Sequence, residues 1–276
     1  MKQIILLLVL HISLFSSCQN KSATNDIPYT FHLDEKTYSY KDYEIIPGTG
    51  LETNIFPLNV GDSGLLLYYA GFGDYWLDFV KLEGAVKKYS KTAKDSSRHY
   101  TYIPTFDKDL GIDNIKDVIF QFKGLKNYNR KIDPFYYDQD TAPESLIDNK
   151  KIVYSDKEQE FILTSDYRQD EENPRYICDI SLFMQVGDKK QCFFRTLDKL
   201  NRNHIYIYIS GDYDDDGEGD FILRVENWDN EQGKGFIYYL LYLSSEAEAE
   251  ELVRHVATCV IPQVRGIDQP VIKGLD

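Results

Sequence analysis

No run of about 18 apolar residues occurs in this 276-residue chain, which excludes a polytopic helical membrane protein. A stripe of Lys and Arg is missing too. The 31 basic residues are outnumbered by 45 acidic ones, for a formal charge of −14 and a pI near 4.8. A chain with that balance repels phosphate backbones, so nucleic acid is excluded as a partner. Histidine is scarce, at 5 residues, and His32, His99, His204 and His255 have no H-x-x-x-H or C-x-x-C companion, which argues against a zinc site. No internal repeat is evident, which counts against a full propeller. Tryptophan is nearly absent, with 2 residues, but 22 Tyr and 15 Phe accompany it and 42% of the chain is hydrophobic. That apolar content excludes a disordered chain. The composition is that of an acidic, Tyr-rich, β-rich globule.

Lys2 supplies one positive charge ahead of an apolar stretch from Ile4 to Phe15, which closes on Ser16-Ser17-Cys18. The stretch is too short to span a bilayer but fits the core of a secretory signal. Small residues before a cysteine resemble the bacterial lipobox, with Leu14 one place earlier than the usual leucine. The resemblance implies a signal over residues 1–18, a lipid on Cys18 that anchors the domain to a membrane, and a polar tether over 19–28. Gln19 after the cysteine resembles the outer-membrane lipoproteins of Gram-negative cells, facing the periplasm or the cell surface. Acylation of Cys18 leaves Cys178, Cys192 and Cys259 in an oxidising compartment. Tyr176 to Val186 alternates as a half-buried strand, and a three-residue Gly187-Asp188-Lys189 loop would set Cys192 opposite Met184 and Phe194 opposite Leu182. That register puts Cys178 and Cys192 about 20 Å apart, beyond disulfide reach, so buried thiols are expected, with Cys259 the one candidate partner.

Strand signals recur along the chain, and the fold class they predict is mainly β: antiparallel sheets, as a sandwich or partial barrel. An N-terminal β-rich region is expected over 29–126, a loop or linker over 127–149, a C-terminal β-rich region over 150–262 and a tail over 263–276. Gly235–Leu243 is apolar on both faces and should be a central strand covered on each side. A closing α-helix is expected after it. Ser245 and Glu248 have capping-box spacing, Ala249, Leu252, Val253, Val256, Cys259 and Val260 form a helical stripe, and Pro262 would stop the helix.

The sharpest motif begins at Asp212. Carboxylates fall at positions 1 (Asp212), 3 (Asp214), 5 (Asp216) and 9 (Asp220), with Gly217 at position 6. This is D-x-D-x-D-G-x-x-D spacing, in which alternate side chains of a tightly coiled loop converge on one hard cation. Glu218, at position 7, would offer its backbone carbonyl, and Asp215 would point outward. Position 12 is Leu223 rather than the glutamate of an EF-hand, and the flanking segments read as strands. The segment from Ile205 to Asn227 therefore resembles the strand–loop–strand calcium loops of FG-GAP and VCBS-type repeats, present here once. The resemblance implies a structural calcium ion.

Other signals are weaker. Gly61-Asp62-Ser63-Gly64 resembles the serine loop of trypsin-like proteases, yet only His11 and His32 precede it, neither in a matching motif. Tyr75 and Trp76, beside Gly71 and Gly73, are a candidate ligand-stacking pair. No catalytic residue is assigned. The sequence points to a lipid-anchored envelope protein, a non-enzymatic binding or structural module with an unidentified protein or glycan partner. Two alternatives share the composition: an envelope hydrolase acting on glycan or peptidoglycan through paired carboxylates, and an acidic immunity- or inhibitor-type protein.

Overall fold

The computed structural model describes residues 30–33, 36–48, 56–70, 74–89, 100–112, 117–126, 129–132, 136–137, 145–147, 152–155, 160–229 and 234–264. The signal segment with Cys18, the tether, much of 127–149 and nearly all of the tail lie outside the described residues.

Gly235–Leu243 falls in the middle of the molecule, as its two apolar faces require. It forms β16 (Lys234–Leu243), between β15 (Asp220–Asp229) and β17 (Arg254–Val264). β14 (Ile205–Gly211) and β1 (Tyr38–Ser39) complete an antiparallel sheet in the order β1-β17-β16-β15-β14. Side chains alternate along β16. Tyr238, Leu240 and Tyr242 enter one core, while Ile237, Tyr239, Leu241 and Leu243 enter another.

Each core is closed by its own sheet. Leu163, Ile180, Leu182 and Phe194 close the first. Their sheet runs β12 (Lys189–Thr196), β11 (Tyr176–Val186), β10 (Glu160–Gln169), β9 (Ile152–Ser155) and β8 (Tyr136–Tyr137), with β13 (Leu200–Asn201) also on β11. Leu65, Leu67, Leu77, Phe120 and Phe122 close the second. Their sheet runs β2 (Glu44–Pro47), β6 (Val118–Lys123), β3 (Ser63–Tyr69), β4 (Tyr75–Tyr89) and β5 (Tyr100–Phe106), with β7 (Asn129–Ile132) on β4. The result is three stacked antiparallel layers. Residues 31–47 connect them: Phe31 packs in the first core, β1 joins the central sheet and β2 joins the third sheet.

The C-terminal helix is a correction. Among the described residues there is no α-helix, and the Val256–Val260 stretch lies in strand β17. Val256, Thr258, Val260, Ile261 and Val264 are β-branched, which disfavours helix and favours a pleated surface. β16 also needs a hydrogen-bonded neighbour on its second edge, and β17 supplies it. Residues 244–251 form two single turns, closed by Ala247 N to Ser244 O and Glu251 N to Glu248 O. The carboxylate that caps a backbone N–H there is Glu251, on Glu248, at 3.0 Å. Pro262 is tolerated because β1 pairs only with Ala257 and Thr258, and among the described residues no other strand pairs with that edge of β17.

The β11–β12 turn is also tighter than expected. Val186 pairs with Lys189, so the loop is Gly187-Asp188, and a bulge then sets Cys192 opposite Phe183 while Phe194 still faces Leu182. Cys178, Cys192 and Cys259 are free and buried. Cys259 faces the second core, on the opposite side of the central sheet from β11 and β12.

Candidate metal site

The register Gly211↔Asp220 between β14 and β15 closes a loop over residues 212–219. Asp215 (φ 68°) and Gly217 (φ 87°) adopt left-handed backbone conformations and coil the chain. Asp212 Oδ1 accepts from the Asp215 N–H at 2.7 Å, and Asp212 Oδ2 accepts from the Gly217 N–H at 3.2 Å. Asp216 Oδ1 accepts from the Glu218 N–H at 2.8 Å. This coiling gathers Asp212, Asp214 and Asp216, each with a carboxylate oxygen within 4.8 Å of the others, a grouping that could hold a metal ion.

Three further elements hold the loop. Ser244 Oγ, after β16, shares its one proton between Asp216 Oδ2 and Asp220 Oδ1, each at 3.0 Å, and the Ser245 hydroxyl donates to Asp214. Arg130, from β7 in another layer, pairs with Asp212 at 3.1 Å and Asp215 at 2.5 Å. Asp220 lies beneath, fully buried, and accepts from Ser244 N and Ser244 Oγ on one oxygen and from Tyr213 N on the other. It is the anchor that fastens the loop to the end of β16, apart from the three gathered carboxylates. Glu218 is exposed.

Charge is concentrated here without full solvation. Burial raises the Asp214 pKa, the Ser245 hydroxyl opposes that shift, and the neighbouring Asp216 and Asp212 carboxylates add to it. Burial pushes Asp220 well above the usual carboxylate range, and Asp214 pushes it further against the pull of its own hydrogen bonds. A cation among Asp212, Asp214 and Asp216 would relieve that repulsion.

The other predicted pair is not brought together. Tyr75 and Trp76 are consecutive on β4 and face opposite sides. Tyr75 packs with Tyr69 beside the second core, ring centroids 5.5 Å apart, and Trp76 packs on a third cluster around Leu66 and Val80. Arg130, Ser244 and Ser245 carry no local motif that ties them to the loop. Arg130 lies 82 residues from Asp212, and Ser244-Ser245 reads locally as the start of a helix. No protein-family model, no curated protein and no solved structure matches the chain, so any likeness to calcium-loop families rests on the loop's own residues.

Proposed function

We propose that the 212–220 loop binds calcium, and that the ion is a structural clamp in an exported, lipid-anchored envelope protein acting as a binding module. The observation that carries the calcium reading is the convergence of Asp212, Asp214 and Asp216 in a loop whose first aspartate collects the Asp215 and Gly217 N–H groups. Carboxylate oxygens suit hard cations, and a wrapped loop with flexible ligand number suits calcium better than octahedral magnesium. The Glu218 backbone carbonyl and waters would complete the shell. Because the loop also meets Arg130 and Ser244, an ion there would tie the ends of β14, β15 and β16 to β7 of the neighbouring layer. The envelope reading rests on the lipobox resemblance at Ser16-Ser17-Cys18.

Millimolar calcium is expected to raise Tm, EDTA to reverse the rise, and the triple substitution Asp212→Ala, Asp214→Ala, Asp216→Ala to abolish it. At ten times a Kd of about 10⁻⁴ to 10⁻³ M the gain is about 1.4 kcal/mol, a shift of roughly 2–4 °C for a domain of this size. An unchanged melting curve with calcium would refute the site. Labelling with a palmitate analogue, lost in Cys18→Ser, tests the anchor.

A further inference from the structure

We propose that a cavity at the far end of the central sheet binds one neutral sugar ring, stacked on Trp228. The inference supplies a ligand for the binding-module reading and rests on it, but it uses none of the calcium-loop residues.

On the side of the central sheet that faces the second core, side chains fall in rows set by the strand register. Arg224 pairs with Tyr239, Glu226 with Ile237, Trp228 with Gly235, and Gly235 with Gln263. Leu65, Leu77 and Phe120 share a core with Ile222, Tyr239 and Leu241, so the third sheet packs over the other end of these rows. Over the Glu226 and Trp228 rows lies a cavity of about 270 Å³, lined by Trp228, Arg224, Glu226, Gln263, His204 and Tyr208 among others.

The floor is shaped by a glycine. A Cβ on Gly235 would come within 2.5 Å of Trp228 Cε3, so the indole lies across the backbone of the neighbouring strand. Trp228 is only half-buried there. Gly235 therefore permits an amphipathic ring to lie flat in a polar cavity, where an apolar ligand face can stack on it.

The polar groups select the ligand's chemistry. Arg224 Nη2 and Glu226 Oε1 pair at 2.7 Å, and Tyr206 OH lies 3.4 Å from the same oxygen, so the charges cancel. Three buried atoms of the lining make no hydrogen bond among the described residues: Arg224 Nε, Gln263 Nε2 and His204 Nδ1. The last approaches Glu226 Oε2 at 3.5 Å without forming one. Buried polar groups are nearly always satisfied, by protein, water or ligand. Arg224 Nε and Gln263 Nε2 are donors, which a cationic group has no lone pair to satisfy. An anion would meet Glu226 and a protein of net charge −14. A neutral polyhydroxylated ring fits both constraints. Its hydroxyls donate and accept, matching a carboxylate beside unpaired donors, and its C–H face covers the indole. The volume falls just below the ~300–1,000 Å³ of drug-sized pockets, which limits the site to one ring.

The test uses the calcium-loaded chain in a Trp76→Phe background, which leaves Trp228 as the only indole. Its fluorescence is titrated with methyl glucoside, galactoside and mannoside, and with glucuronate and glucosamine as charged counterparts. Saturable change with at least one neutral glycoside, weakened at least tenfold by Gln263→Ala, is the expected result. For Trp228→Ala, which has no indole left to report, ligand-observed NMR should show binding of that glycoside lost with the calcium-induced Tm shift retained. No response to any neutral glycoside overturns the inference, as does equal or tighter binding of either charged sugar. A retained calcium shift beside a silent Trp228 would leave the metal reading standing. Loss of that shift in the triple Asp variant alone, with sugar binding intact, would separate the two sites in the other direction.

Discussion

Asp220 is the residue on which the 212–220 loop depends, and its position in the motif does not reveal how. It is the ninth of a ligand pattern, yet its oxygens accept three hydrogen bonds from Tyr213 and Ser244 in a buried setting. Asp220→Ala strands two buried N–H groups and is expected to cost roughly 2 kcal/mol or more in urea unfolding. Asp220→Asn keeps one acceptor oxygen and sheds a carboxylate that burial disfavours, so it should recover more than half of that loss. An Ala variant within about 0.5 kcal/mol of the parent, the range of surface changes, would remove the anchoring role. His255 sets a second residue-scale expectation. It stacks on Tyr38 at 4.8 Å, lies 5.3 Å from Tyr242, and its Nε2 is 2.7 Å from Thr258 Oγ1. Burial lowers its pKa from 6.5 to about 4, with the Ala257 carbonyl opposing. Between those values the unfolded chain binds more protons than the folded one. Its stability contribution is therefore complete above pH 6.5 and is lost as pH falls toward 4, by about 3 kcal/mol at most. His255→Gln should flatten the Tm-against-pH curve in that window, and an unaltered slope would show that His255 is not the group responsible.

At the scale of elements, β17 marks where local pattern and tertiary demand diverge. Ala249 to Val260 carries an apolar spacing that a helix can use, and the capping-box spacing at Ser245 supports the same reading. The β-branched residues in that stretch were the contrary signal, but the second edge of β16, created only by folding, is what makes the strand win. Amides of β16 paired with β15 and β17 should exchange with deuterium only through global unfolding, while those of β1 and β13, two residues each, exchange through local opening. Fast exchange across Ala257–Ile261 would contradict the strand assignment. β11 was legible from its period-2 alternation, and β3, β6 and β16 as short continuous apolar runs, because neither signal needs a partner to be seen. The two-residue strands β1, β8 and β13 were not, since nothing in two residues distinguishes a strand from a loop. The metal loop was legible because its ligands are contiguous. Arg130 and Ser244 were not, because their relation to it exists only across layers.

For the whole molecule, the central sheet and the β7 layer meet at the loop, and Arg130 is where this has a measurable consequence. Its guanidinium already neutralises Asp212 and Asp215 in the calcium-free protein. Arg130→Gln should lower the stability of that form by up to about 1 kcal/mol, the upper end for a partly exposed ion pair. It should also tighten calcium binding severalfold in calorimetry, because a positive charge beside a ligand has been removed. Weaker calcium binding in this variant would mean that Arg130 serves to orient Asp212 rather than to compete with the ion. The sequence by itself determined the β class, the two-faced strand at the centre, the acidity and the clustered aspartates, because each is written in the spacing of neighbouring residues. Only the tertiary structure decided that Val256–Val260 is strand, that Tyr75 and Trp76 part company, and that Trp228, Arg224 and Gln263 share one cavity. Those outcomes depend on which strands lie side by side, and cross-strand register brings together residues whose separation along the chain carries no trace of the meeting.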